Sequence, residues 1–172
     1  VKKDLGLEAM TYGDVYVARI AMGASDVQTV KALLEADAWP GVSLIIAYST
    51  CIAHGIDMTT SMSHQKDAVK SGYWPLYRYS PVVTDDDGVP FKLDSTKPSI
   101  PIKEFVTGET RFAILERTNP DKAGQLAELM QADADEKWRY YEQLAGIHRN
   151  VPHLHAKDED TVAAGESKGD EA

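Results

Sequence analysis

One cysteine, Cys51, stands three positions before His54 in the run Cys51-Ile52-Ala53-His54-Gly55. A thiol and an imidazole at that spacing could form half of a zinc site, but zinc takes four ligands, usually from two such pairs. The other histidines are His64, His148, His153 and His155, the last two far down the chain. The same two residues could in principle pair as nucleophile and base, although no neighbouring signature accompanies them. The plainer reading is an inert thiol, since free cysteine is among the most buried residue types. A lone cysteine makes no internal disulfide, which favours a reducing, cytoplasmic setting.

Gly13-Asp14 raises a second metal possibility, because a Gly-Asp pair opens the Mg²⁺ motif of thiamine diphosphate enzymes. That motif needs an Asn further on, and the matching stretch here is Trp39-Pro40-Gly41-Val42. Gly13-Asp14 is therefore expected to be a turn leading into a strand. The aromatic string Tyr73, Trp74, Tyr77, Tyr79 could stack on bases, but the chain carries a formal charge of -9. That sign repels phosphate backbones and excludes a nucleic-acid surface, so packing is the expected role. No apolar run reaches the ~18 residues of a membrane span. Neither a phosphate-cradling P-loop nor a Gly-x-Gly-x-x-Gly is present.

The elements around these residues have the order of an α/β fold. Val15 to Ile20 is rich in β-branched and aromatic residues and predicts a strand. Gly23 breaks it and Ser25 can cap a helix, along which Val27, Val30, Leu33, Leu34 and Ala38 recur at helical spacing as one apolar face. Trp39-Pro40-Gly41 stops that helix. In Val42 to Ala47 only Ser43 is polar, the pattern of a parallel strand covered on both faces. Cys51 thus falls a few residues past a strand's carboxyl end, where open α/β sheets bind ligands.

A loop from Ser49 to Ser61 and a short helix from Met62 to Val69 should follow. Tyr73 to Tyr79 predicts a strand that Pro75 confines to an edge or bulge. Asp85-Asp86-Asp87-Gly88 predicts a turn, with short strands near Phe91 and at Phe112 to Leu115. Asp121 to Leu144 should be one amphipathic helix carrying Leu126, Leu129, Met130, Trp138, Tyr141 and Leu144. From Lys157 to Ala172, six acidic residues stand against Lys157 and Lys168. So polar a stretch buries too little to offset ordering entropy, and 151-172 is expected to be a disordered acidic tail on a 1-150 unit.

Several blocks then converge. Met10-Thr11-Tyr12-Gly13-x-Val15-Tyr16-Val17-Ala18, followed by Ala21-Met22-Gly23-Ala24, resembles the last third of the thiamine-diphosphate-binding domain of pyruvate:ferredoxin (flavodoxin) oxidoreductases. The resemblance runs through Pro40 to Tyr48 into Cys51-Ile52-Ala53-His54-Gly55-Ile56. It continues through Ala68 to Tyr79, Pro90-Phe91-x-Leu93-Asp94-Ser95 and Phe105-x-x-Gly108-Glu109-x-Arg111-Phe112, covering about Asp4 to Leu144. Asp14 departs from it, at a position usually uncharged.

The resemblance implies a fragment of a thiamine-diphosphate-binding fold with parallel strands, ending in a helical C-terminal segment. It implies an enzyme that oxidatively decarboxylates pyruvate, loads the acetyl group on coenzyme A and passes electrons through 4Fe–4S clusters to ferredoxin or flavodoxin. Cys51 matches the family's fourth thiolate on the cluster nearest the thiamine. The other three, and the thiamine diphosphate and Mg²⁺ sites, would lie upstream, which agrees with an opening Val-Lys-Lys-Asp that has no initiator Met. A homodimer is the implied assembly. The alternatives are a subunit of another 2-oxoacid:ferredoxin oxidoreductase and an electron-transfer or binding module. Truncation after Asn150 is expected to move the melting temperature by no more than about 2 °C; a large drop would mean that the acidic stretch docks.

Overall fold

The computed structural model describes residues 3–81 and 89–148. The expected Asp85 to Gly88 turn and the acidic stretch from residue 151 lie outside the described residues. Helix α1 (Leu5–Met10) starts at Asp4, whose carboxylate accepts from the Leu7 amide at 3.3 Å. Strand β1 (Tyr16–Ile20) follows and is buried along its whole length. Ser25 caps α2 (Asp26–Ala38) by accepting from the Gln28 amide at 3.1 Å. Strand β2 (Ser43–Ala47) lies parallel to β1, with Tyr16 opposite Ser43 and Ile20 opposite Ala47. Helix α3 spans Ser61–Lys70.

Two short strands, β3 (Tyr77–Tyr79) and β4 (Phe91–Leu93), complete the sheet as antiparallel neighbours. The strand order is β2-β1-β3-β4. Three helices follow: α4 (Ile102–Thr107), α5 (Thr110–Thr118) and the 26-residue α6 (Pro120–Ala145). Asn119 caps α6 by accepting from the Lys122 amide at 3.1 Å, and Pro120 takes the first turn, where its missing N–H costs nothing. The chain is α/β with a helical C-terminal segment.

Side chains of β1 alternate between two layers. Val17 joins Tyr77, Tyr79, Phe91 and Tyr141 in a core beneath α1 and α6. Tyr16, Ala18 and Ile20 pack with Ala32 of α2 on the opposite face. Burying a large apolar side chain is worth about 2–3 kcal/mol, so Trp138 and Tyr141, the large buried residues of α6, hold that helix down. Gly6 of α1 is a forced choice. A Cβ there would come 1.8 Å from the Tyr77 hydroxyl.

Four expectations change. Helix α2 turns its valines and leucines outward: Val27 is 75% and Leu34 65% exposed, while Gln28, Thr29 and Ala32 face the sheet. The reason is a polar network centred on the buried Arg78. Arg78 holds Asp94 bidentately, with Nε and Nη2 each at 2.8 Å, and also donates to Glu35 of α2. Glu35 accepts from Tyr16 at 2.8 Å, and Gln28 donates to Asp94 at 3.0 Å. These polar groups must meet their partners when buried, and that fixes the rotation of the helix.

Secondly, β2 is an edge strand, half-buried on both faces, with β1 its one strand neighbour among the described residues. Thirdly, the strand begins only at Tyr77, past Pro75, and sits inside the sheet between β1 and β4 rather than at its edge. Fourthly, Phe112 to Leu115 is helical within α5, because a four-residue apolar run does not distinguish strand from helix. Asp94→Ala removes the bidentate half of this network and leaves Arg78 with Glu35 alone, and should cost about 1.5–3 kcal/mol in denaturant unfolding. By contrast, Lys103→Ala, which breaks the exposed 3.7 Å pair with Glu116, should cost no more than about 1 kcal/mol.

Candidate functional site

Cys51 lies in the loop that leaves the carboxyl end of β2, as its sequence position implies, and its thiol is exposed. Its backbone is extended, and the next three residues, Ile52–His54, form a single 3₁₀ turn. Gly55 closes that turn in the left-handed region at φ 72°, its amide bonded to Ile52 O at 2.9 Å. Ile56 then buries and anchors the loop. A second 3₁₀ turn, Met58–Thr60, leads into α3.

Side-chain bonds fix this loop at both ends. Thr50 Oγ1 lies 2.5 Å from Ser61 Oγ. Asp57 caps the second turn by accepting from the Thr59 amide at 2.9 Å and the Thr59 hydroxyl at 2.8 Å. Those two bonds hold the Asp57 carboxyl below its ordinary range. From α5, the Thr110 hydroxyl donates to Gly55 O at 2.8 Å. The approach is so close that a Cβ on Gly55 would come 2.4 Å from Thr110 Cβ. Gly55 is thus required twice, for its φ and for its lack of a side chain.

Beneath the loop lies a polar cluster that the residue types alone did not mark as a site. Glu109, almost fully buried, accepts from Arg111 Nε at 2.5 Å and meets His64 Nε2 at 3.2 Å. The His64 ring stacks on Phe105, centroids 4.7 Å apart. Glu109 also raises the Tyr48 phenol, though burial is the larger cause. The signal was present in the spacing Gly108-Glu109-x-Arg111, but a charge pair two residues apart does not say that its acid is buried.

Among the described residues no three His, Cys, Asp or Glu side chains come together as a metal site requires. Gly13 turns at φ 86°, and the Asp14 carbonyl accepts from Trp39 Nε1 at 3.2 Å, the arrangement of a turn entering β1. What Cys51 offers is one accessible thiol on a pinned loop at the sheet's carboxyl edge. That suits a ligand completing a site whose remaining donors come from elsewhere. No helix among the described residues is long and apolar enough to cross a membrane.

No family model matches the chain. Among curated proteins it is 57% identical, over 144 residues, to a putative pyruvate-flavodoxin oxidoreductase of Synechocystis. It is 51% identical over 144 residues to the pyruvate:ferredoxin oxidoreductase of Moorella thermoacetica. Each of these matches covers 84% of this chain and 12% of the relative. A protein of Cryptosporidium parvum named pyruvate dehydrogenase [NADP(+)] is 42% identical over 168 residues, which is 92% of this chain and 8% of that protein. The chain thus spans about an eighth or less of the relatives it matches.

Gly55→Ala should release the Cys51 loop. The left-handed φ and the overlap with Thr110 together should cost about 1–3 kcal/mol, and disulfide-reagent labelling of Cys51 should change rate. An unaltered melting temperature and labelling rate would show that the loop tolerates a side chain there.

Proposed function

Because this chain belongs to the pyruvate-flavodoxin oxidoreductase family, we propose that it forms part of an enzyme that oxidises pyruvate with coenzyme A and supplies one ligand to an electron-carrying cluster. Pyruvate and coenzyme A give acetyl-CoA, carbon dioxide and a proton, and two electrons are left over. Those electrons need carriers. A 4Fe–4S cluster, when bound, takes them one at a time, and it is held by four cysteine thiolates. One cysteine of this chain is available for that role, and its exposed place on a pinned loop is the observation that carries the reading.

Cys51 would then be the fourth thiolate of a cluster whose other three ligands belong to the longer polypeptide. The carboxyl edge of β2 is a place where α/β sheets bind ligands, so a cluster there would stand close to a thiamine diphosphate and its Mg²⁺, both held by residues outside this chain. The loop's contribution is rigidity. Gly55, Thr110 and Asp57 fix the turn on which the thiol stands, and a fixed ligand keeps the donor-to-cluster distance constant. Flavodoxin or ferredoxin would be the final acceptor, and the whole enzyme a homodimer.

A second reading concerns the acceptor. The relatives' names pair pyruvate with flavodoxin, ferredoxin or NADP⁺. Their shared segment therefore fits the common half-reaction, with the acceptor chosen elsewhere in each protein. Cys51→Ala in the longer protein should remove the iron of one cluster, abolish its reduced-state magnetic resonance signal and cut pyruvate-dependent flavodoxin reduction, while circular dichroism stays unchanged. The 172-residue chain alone should not reduce dyes with pyruvate. Unchanged iron and unchanged flavodoxin reduction in the variant would return Cys51 to an inert thiol.

A further inference from the structure

A cavity of about 680 Å³ opens between α1, α6 and the sheet face that carries Arg19 and Tyr77. That is the size range of sites for small organic ligands. Its walls are largely apolar, with Ile46, Trp74, Met130 and Tyr140 among them.

Arg19 is the anomaly. It is 7% exposed, lines the cavity, and has no carboxylate at ion-pair distance among the described residues. Its guanidinium stacks on the Trp74 ring at 3.8 Å and donates weakly, at 3.3 Å to the Tyr141 hydroxyl and 3.4 Å to Tyr73 O. Its Nε has no hydrogen-bond partner; the buried Tyr77 hydroxyl beside it has none of good geometry, although it lies near enough to Arg19 and Tyr141 for both to influence its proton. Burial, the larger influence, pushes the Tyr77 phenol up to about 12, so it stays a neutral donor at physiological pH. The nearby acid is already engaged: Asp4 caps α1, accepts from Tyr141 and lies 4.0 Å from Lys137. A buried cation left uncompensated is costly.

The cavity lining holds four basic and three acidic residues, an excess of one positive charge in a chain of net -9. From this geometry we infer that the cavity binds a carboxylate borne on an apolar body, its oxygens accepting from Arg19 and Tyr77. One negative charge matches one unpaired guanidinium, whose planar fork suits a carboxylate. A phosphate dianion would bring a second negative charge close to Asp4. Two sources share the chemistry: a free aryl or acyl carboxylate, and an acidic side chain on an apolar segment of a longer polypeptide. The inference stands independently of the role given to Cys51.

The test is calorimetric titration of 3-phenylpropionate and its neutral counterpart 3-phenylpropanol into the 172-residue chain. The acid should bind saturably and at least tenfold more tightly than the alcohol. Arg19→Met should remove that preference, and Arg19→Lys should restore part of it, because an ammonium keeps the charge but not the fork. The comparison of acid with alcohol needs no variant, so a poorly folded Arg19→Met leaves the inference testable. Repeating the titration on the longer Synechocystis relative separates the sources. Binding to both proteins identifies a free carboxylate ligand, and binding to the short chain alone identifies an internal acidic side chain; either result upholds the site. Equal affinity for acid and alcohol, or no saturable binding of the acid to the short chain, overturns it.

Discussion

Arg78 sets the arrangement on which the rest of the fold depends. It sits on β3 opposite Ala18 of β1, and its guanidinium reaches both Asp94 after β4 and Glu35 on α2. One buried cation therefore ties two strands and a helix together. Its proton is held above the ordinary arginine range, most of all by the hydrogen bonds to Asp94. A buried ion pair is weak evidence for net stability, because desolvation opposes the attraction. Its effect here is on specificity: it decides which face of α2 meets the sheet.

That choice has a visible cost. The valines and leucines of α2 form a continuous apolar stripe, and the network turns them to the outside. The outer edge of β2 is likewise without a strand neighbour among the described residues. Apolar stripes and open strand edges are surfaces that natural proteins ordinarily cover. Both features accord with a chain that spans 12% of the Synechocystis and Moorella relatives.

The Cys51 loop and the Arg19 cavity use different parts of the same scaffold. The loop gains its fixed shape from α3 and α5, through Ser61, His64, Glu109 and Thr110, with Phe105 of α4 stacked on His64. The cavity is shaped by α1 and α6, which close over the sheet face that carries Arg19 and Tyr77, near the carboxyl end of β1. Arg19 and Tyr77 stand opposite one another in the antiparallel register of those strands, so their approach follows from strand pairing. Gly6 makes room for the Tyr77 hydroxyl.

Local chemistry made much of this legible in the sequence. Ser25 marks the start of α2, the apolar run from Val42 to Ala47 contains β2, and Cys51 follows that strand in a loop, because caps, periodicity and turn residues act over a few positions. The family, too, is legible from ordered blocks of residues. What the sequence left open was every question of partnership. The outward turn of α2 depends on Arg78 meeting Glu35, 43 residues apart. The helical state of Phe112 to Leu115 depends on α5 packing against α6, and the interior place of β3 on its pairing with both β1 and β4. The burial of Glu109 under the Cys51 loop depends on His64, 45 residues away. Periodicity reports that a face is apolar and says nothing of what it will touch; only the tertiary structure, by bringing Arg78 to Asp94 and Glu35, decided which face of α2 went in, and it leaves Arg19 without a carboxylate partner among the described residues.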